Sequence, residues 1–426
     1  MTHSTLASLP PELLVAIAAA GQQERFLDLS NPHWQIEAQP GSFRSEWTMS
    51  HLSRPIRDTI VDASELWDLT EAELNAEGSI EILKFYLQRS KTRLIYATLR
   101  VSARPNVVDM DVLLERIGQI VPHIGRVRHL RIGLREDWTT DILFPLRELF
   151  LEHLAILQRG NSTWPLLVEH LFRKGAPRLT YLGIDGCKFR FPATPGLQWG
   201  SSLTVLELLS GTEAGDNDSG AAISASCHSL THLNIDLTSG FNSHRFHVPS
   251  LQYLAIWISS EHLNEETHLL DVVDLFDTPG LIEWTIYGAH GDQISMLLDA
   301  TSLPSALSFP SLKRLSFIRL DLCLCDISCD AMHEISRPPM SLFPALSSLT
   351  LINQCFTEML LLNLFYPDPY SSPAITIFTG FFGMMGFGTC CWCRWRRSAD
   401  GRPLPELKLF SSTTPSSLED WQHTEL

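Results

Sequence analysis

One spacing recurs along the chain and leaves its middle little freedom in how to fold. It consists of an apolar residue, two variable positions, a second apolar residue, one variable position and a third apolar residue. The copies are RVRHLRIGL (126–134), PLRELFL (145–151), PRLTYLGIDGC (177–187), SSLTVLELL (201–209), HSLTHLNIDL (228–237), PSLQYLAIWI (249–258), PGLIEWTIYG (279–288), PSLKRLSFI (310–318) and PALSSLTLI (344–352). Their first apolar residues are Val127, Leu146, Leu179, Leu203, Leu230, Leu251, Leu281, Leu312 and Leu346, in steps of 19, 33, 24, 27, 21, 30, 31 and 34 residues. Five copies place proline two residues before this anchor, and a distant copy follows at PLPELKLF (403–410).

The second half of the frame has period two, which predicts a short strand with alternate side chains buried. Steps of this size around an L-x-x-L-x-L core are those of a leucine-rich repeat with irregular return segments. Between copies, WPLLVEHLFRKG (164–175) and LLDVVDLF (269–276) have helical spacing and are expected to pack behind the strands. One such unit cannot bury its own apolar edge, so neighbours must stack into a continuous core. The expected architecture is α/β: an irregular solenoid over 101–373 behind a small helical domain over 1–100.

If the leucines point inward, the intervening positions point out. They are Tyr181 and Asp185, Glu207, His232, Asn234 and Asp236, Tyr253 and Trp257, Glu283, Thr285 and Tyr287, and Arg314. Tyr181, Glu207, His232, Asp236, Tyr253, Trp257, Glu283 and Tyr287 are the candidate target-binding residues. Trp257, expected between Tyr253 and Tyr287, makes an aromatic patch beside carboxylates, suited to a target segment with basic and apolar side chains. The same aromatics are equally compatible with packing along the edge of the solenoid.

The formal net charge of −16 argues against nucleic acid as a partner, because a polyanion would be repelled. The one basic run is RWRR at Arg394–Arg397. Nine scattered cysteines in 426 residues read as reduced thiols, placing the chain in the cytoplasm or nucleus. Near the start, LPPELLVAIAAAGQ (9–22) has an apolar run but no positive residue before Arg25, which does not suit a secretory signal. Pro10-Pro11-Glu12 instead suits a helix start, with Leu13, Leu14 and Ile17 on one face. Further on, Leu52, Ile56, Ile60 and Val61 form a helical stripe, and a helix ending near Ser90 precedes a strand beginning near Leu94.

In this order, LPPELLVAI, HLSRPIRD, ELW and LQRSKTRLIYATL resemble the F-box and the segment after it in the F-box proteins abundant in mushroom-forming fungi. Leucine-rich repeats often accompany that motif. The chain departs from the compact pattern by an insertion around Asn31–Glu46, by Leu52 where valine is common, and by Pro55 inside the expected second helix. The resemblance implies a substrate-recognition adaptor of a Skp–cullin–F-box type ubiquitin ligase. Its partners would be a Skp-type adaptor, through it a cullin, and a protein target of unknown identity. By position, Leu9, Pro10, Leu13, Leu14 and Ile17 would make the first apolar contact with the adaptor. Leu52, Ile56 and Trp67 would complete the docking patch or its supporting core, with Arg54 and Arg57 at the rim. The alternative is a leucine-rich-repeat interaction scaffold with no ubiquitin role.

No nucleophile elbow, phosphate loop or paired zinc motif occurs, so the chain is not expected to be an enzyme or to hold a metal or cofactor. Cys323, Cys325 and Cys329, and Cys390, Cys391 and Cys393, lack complementary ligands and read as small core residues. His244 and His247 read as loop residues, and Asp216-Asn-Asp-Ser-Gly as a turn. The uncharged stretch AITIFTGFFGMMGFGTCCWC (374–393) is long enough to span a membrane, yet it interrupts the repeats. It reads as an irregular buried cap or a gene-model artefact before a membrane span. The apolar insertion is bounded at 374–397, with a last repeat strand and tail over 398–426.

Overall fold

In a computed structural model, the structure describes residues 6–30, 44–101, 109–135, 151–159, 166–167, 176–186, 189–190, 200–209, 218–236, 245–258, 275–288, 309–318, 343–352, 376–381, 389–396 and 408–413. The fold is mixed α/β with a largely parallel sheet. The chain divides into two compact units, Met1–Leu154 and Ala155–Leu426.

The first unit opens with three helices, α1 (Pro11–Ser30), α2 (Ser45–Met49) and α3 (Arg54–Asp62). α1 begins at the proline pair, as its residues dictate. Pro55 lies in the first turn of α3, where its missing N–H costs nothing, so it starts the helix expected to contain it. Leu52 therefore falls in the turn before α3 and is exposed, while Ile56 and Ile60 carry the buried stripe. Leu14, Ala18, Met49, Ile56, Ile60, Leu66, Trp67 and Tyr86 form one core. Trp67 meets Phe85 and Tyr86 edge-on, with ring centroids 5.1 and 5.0 Å away. Its indole N–H donates to the Ile60 carbonyl at 3.0 Å, which satisfies the one polar atom this burial entails. α1 and α2 approach so closely that a Cβ on Gly21 would lie 2.7 Å from that of Ser45. The Ser45 hydroxyl donates to the Ala18 carbonyl at 2.7 Å across the same contact.

A β-α-β unit follows: β1 (Leu69–Glu73), α4 (Glu77–Arg89) and β2 (Ile95–Val101), the strands parallel with Leu69 opposite Tyr96 and Glu73 opposite Arg100. Side chains cap the outer edge of β1: Arg44 donates to the Glu71 carbonyl at 3.1 Å and Glu73 N–H donates to the Ser79 hydroxyl at 2.7 Å. After α5 (Met110–Gly118), β3 (Val127–Arg135) pairs in parallel with β2. The parallel sheet thus begins at Leu69, before the first copy of the repeat frame at Val127.

The second copy is displaced from its expected place. Its expected anchor Leu146 lies outside the described residues, and the strand there is β4 (His153–Arg159). The frame is filled by Leu151, Leu154 and Ile156, all buried.

In the second unit the two-residue strands β5 (Leu166–Leu167) and β7 (Phe189–Arg190) pair in parallel. The main run comprises β6 (Tyr181–Asp185), β8 (Val205–Leu209), β9 (His232–Asp236), β11 (Tyr253–Trp257), β13 (Glu283–Tyr287), β14 (Arg314–Ile318), β15 (Ser348–Ile352) and β16 (Thr376–Phe381). Each pairs in parallel with the next, residue for residue. The anchors Leu179, Leu203, Leu230, Leu251, Leu281 and Leu312 are wholly buried, as are the alternate strand residues such as Leu254 with Ile256 and Trp284 with Ile286.

The prolines before the anchors have a local cause. The anchor N–H closes a turn onto the carbonyl three residues back: Leu179 to Ala176, Leu251 to Val248, Leu281 to Thr278, Leu312 to Phe309 and Leu346 to Phe343. Pro177, Pro249, Pro279, Pro310 and Pro344 occupy the second position of these turns, where φ near −65° is required. Each turn aims its strand into the sheet.

The two return segments expected to be helical depart from that expectation where they are described. Leu166–Leu167 are the strand β5, and Phe276 begins β12 (Phe276–Asp277), which pairs with β10 (Phe246–His247). Short parallel ladders satisfy these backbones in place of helical turns, and Leu275 sits in a turn; residues 164–165, 168–175 and 269–274 lie outside the described residues. Asp218 opens α6 (Asp218–Ser226), so the expected turn gives way to a helix start, with Asp216 and Asn217 outside the described residues. Residues 31–43, His244 and the cluster Cys323, Cys325 and Cys329 also lie outside them. Within 374–393, β16 runs antiparallel to β17 (Thr389–Arg396), which in turn pairs antiparallel with β18 (Lys408–Thr413). The copy at 403–410 therefore supplies an antiparallel strand, unlike the others. No helix among the described residues is long and apolar enough to cross a membrane.

Candidate functional site

Two surfaces hold the sequence candidates, one in each unit. On the first, α1 separates residues that the sequence grouped together. Leu14 is buried in the core, whereas Leu13 is 50% and Ile17 46% exposed. At 100° per residue Leu13 and Ile17 share one flank, and Leu14 with Ala18 share the next. Leu9 packs partly against the core and Pro10 is exposed. Ile56 and Trp67 are core residues, while Leu52 is 54% exposed. Arg57 donates through Nε to the Ser50 carbonyl at 2.8 Å and fixes the turn bearing Leu52; Arg54 is exposed. Trp47, which sequence reasoning passed over, is also exposed and sits edge-on to Phe85 at 5.7 Å. It lies one residue past the expected insertion around Asn31–Glu46, in a stretch that no motif covered.

On the second, the strand register assembles the outward residues into rows. The first row runs Tyr181, Val205, His232, Tyr253, Glu283, Arg314; the second includes Glu207, Asn234, Ala255 and Thr285, of which Glu207 and Asn234 are buried beneath their neighbours, contrary to expectation; the third includes Asp236, Trp257 and Tyr287. Trp257 does not lie between Tyr253 and Tyr287. Instead His232 stacks on Tyr253 at 4.2 Å, and Trp257 stacks on Tyr287 at 4.0 Å, at opposite ends of the strands. Parallel pairing with direct opposition leaves these rings nowhere else to go. The Trp257 indole N–H donates to Asn234 Oδ1 at 2.9 Å. Tyr181 O–H donates to Glu207, and Arg314 donates through Nε to Glu283 at 2.8 Å.

Electrostatics on this face are set by burial. Asp236 is pushed up to about 7, first by burial and then by the like charge of Asp185. One of its carboxylate oxygens is buried without a hydrogen-bond partner. Tyr287 is raised to about 12 by burial, reinforced by Glu283. The His232 imidazole is held below its ordinary value by burial, against the pull of Glu283.

The first unit carries an analogous row, missed in the sequence. Tyr96, His129 and His153 lie in succession with their rings tilted against one another, centroids 4.4 and 5.1 Å apart. Burial, then the charges of His129 and Arg131, press His153 down to about 3. Taking the frame from Leu151 in place of Leu146 puts His153 at the same outward position as His129, the signal that would have revealed the row. Among the described residues no group of three or more His, Cys, Asp or Glu side chains is arranged to hold a metal ion.

Apolar flanks and rows of paired polar and aromatic groups are features of binding surfaces. No family model and no curated protein matches the chain.

Proposed function

We propose that the chain is a substrate-recognition adaptor of a Skp–cullin–F-box type ubiquitin ligase. The helical segment docks the Skp adaptor, and an irregular leucine-rich-repeat solenoid holds the target. The observation that carries the reading is the exposure of Leu13 and Ile17 on one flank of α1, and of Leu52 in the turn before α3, on a helical core that is already complete without them. A helix flank of this kind gains affinity by laying a few apolar anchors into a partner's groove. The second unit supports the other half of the reading: its outward rows mix stacked aromatics with carboxylates, and they rest on buried leucines that need no contribution from them. Holding a target beside the transferring machinery works by effective concentration, so the chain needs no catalytic group of its own.

Co-precipitation with a Skp adaptor tests this, comparing the wild type with Leu13→Ala/Ile17→Ala. Capture by the wild type and its loss in the variant is the expected result. A wild-type chain that captures no adaptor would leave an interaction scaffold without a ubiquitin role.

A further inference from the structure

A groove of ≈ 600 Å³ opens between the first turns of α1 and the C-terminal half of α3. Val15 and Ala63 give it an apolar floor, and Glu12, Asp58, Asp62 and Glu65 surround it with carboxylates. Among the described residues no lysine or arginine lines it. On the sheet side of the same unit, by contrast, carboxylates are paired: Asp68 with Arg93 at 3.1 Å, Glu71 with Arg100 at 2.9 Å, and Glu152 with Arg128 at 2.8 Å. Lys91 donates to the backbone carbonyl of Asp62 at 3.2 Å, and no ion pair to the Asp62 carboxylate is formed among the described residues.

The placement is also locally unfavourable. Asp62 is the last residue of α3, whose final turn holds no basic residue, so a negative charge sits at the negative end of the helix. Glu65 adds a second carboxylate just beyond it. Local rules broken without internal compensation are characteristic of binding sites. Nor is this the flank proposed for the Skp adaptor: on α1, Glu12 and Val15 lie on the opposite side of the buried Leu14 stripe from Leu13 and Ile17.

We infer that this groove is a docking site for a lysine- or arginine-bearing segment of a protein partner, its aliphatic stems lying on Val15 and Ala63 and its charges meeting the four carboxylates. Basic side chains suit such a lining because their stems are apolar and only their heads need charge. The site is independent of the adaptor and target surfaces proposed above.

The test uses the full chain and a fluorescein-labelled heptapeptide of alternating lysine and leucine, followed by fluorescence anisotropy at low and moderate salt. Because the whole chain is acidic, two variants of equal charge are compared. One neutralises the groove, E12Q/D58N/D62N/E65Q; the other neutralises exposed carboxylates elsewhere in the unit, E73Q/E81Q/D111N/E115Q. The wild type should bind with an affinity that falls with salt; the groove variant should bind at least about tenfold more weakly, and the second variant within about twofold of the wild type. Thermal unfolding of each variant verifies that it is folded. No binding by the wild type, or equal losses in the two variants, would overturn the proposal.

Discussion

Trp257 lies flat on Tyr287, their ring planes 10° apart, because β11 and β13 place the two residues directly opposite each other. The same strand offers Tyr253 to His232 on its other side. The aromatic content of the face is thus divided into two stacks, each with a polar neighbour. A partner bound here meets ring edges and their outer faces, and finds Asn234 already engaged.

Replacing Tyr253, Trp257 and Tyr287 together by alanine should abolish target capture in a pull-down and leave adaptor capture intact. None of the three belongs to the buried leucine layer, so the fold should survive. Unchanged capture by a folded triple variant would sink the role of this face.

Trp67→Ala should cost the first unit about 3–5 kcal/mol, the usual range for emptying a large buried aromatic site. Nearly all of its surface is buried, and its loss also strands the Ile60 carbonyl. Leu13→Ala/Ile17→Ala should lower stability far less, since both side chains stand half in water. Denaturant unfolding separates the two: a core role for Leu13 and Ile17 would make the losses comparable.

Asp236 and His153 should contribute to the pH dependence of stability with opposite signs. Asp236 has a folded-state value near 7, well above the ordinary carboxylate value, so folding favours its protonated form. Its contribution is most favourable at acid pH and is lost as pH rises toward about 7. Asp236→Asn should remove that slope and stabilise the protein at pH 8; the difference from wild type isolates it from His232, which pulls the other way. His153, held near 3 in the fold, is a base kept neutral. Its contribution is present above the ordinary histidine value and is lost as pH falls from there toward about 3. His153→Phe should flatten the acid limb in a pH series of unfolding midpoints, and an unaltered limb would count against its burial.

The strands of the second unit were legible because each frame carries an anchoring leucine, in five copies behind a proline turn. At the second copy the reading slipped. PLRELFL and the overlapping Leu151-x-x-Leu154-x-Ile156 satisfy the same pattern, and only packing of the latter three decides between them. β1 escaped notice because its TEAE core is polar, its Glu71 carboxylate being engaged by Arg100 from the neighbouring strand. On α1 the apolar residues were visible but not their division, since Leu13 and Leu14 are equally greasy. Which one turns inward depends on α2 and α3, which no local pattern encodes. The groove beside α1 was invisible for the same reason: Glu12 and Asp62 are fifty residues apart in the sequence.

The one-to-one register of the parallel strands has a consequence for how such a surface changes over time. The steps between anchors vary from 21 to 34 residues, yet neighbouring strands in the second unit still pair residue for residue. Length changes are absorbed outside the sheet, and a substitution at an outward position rewrites a single cell of a fixed grid. Recognition can therefore drift one side chain at a time, while the leucine layer underneath keeps its sequence and its stability.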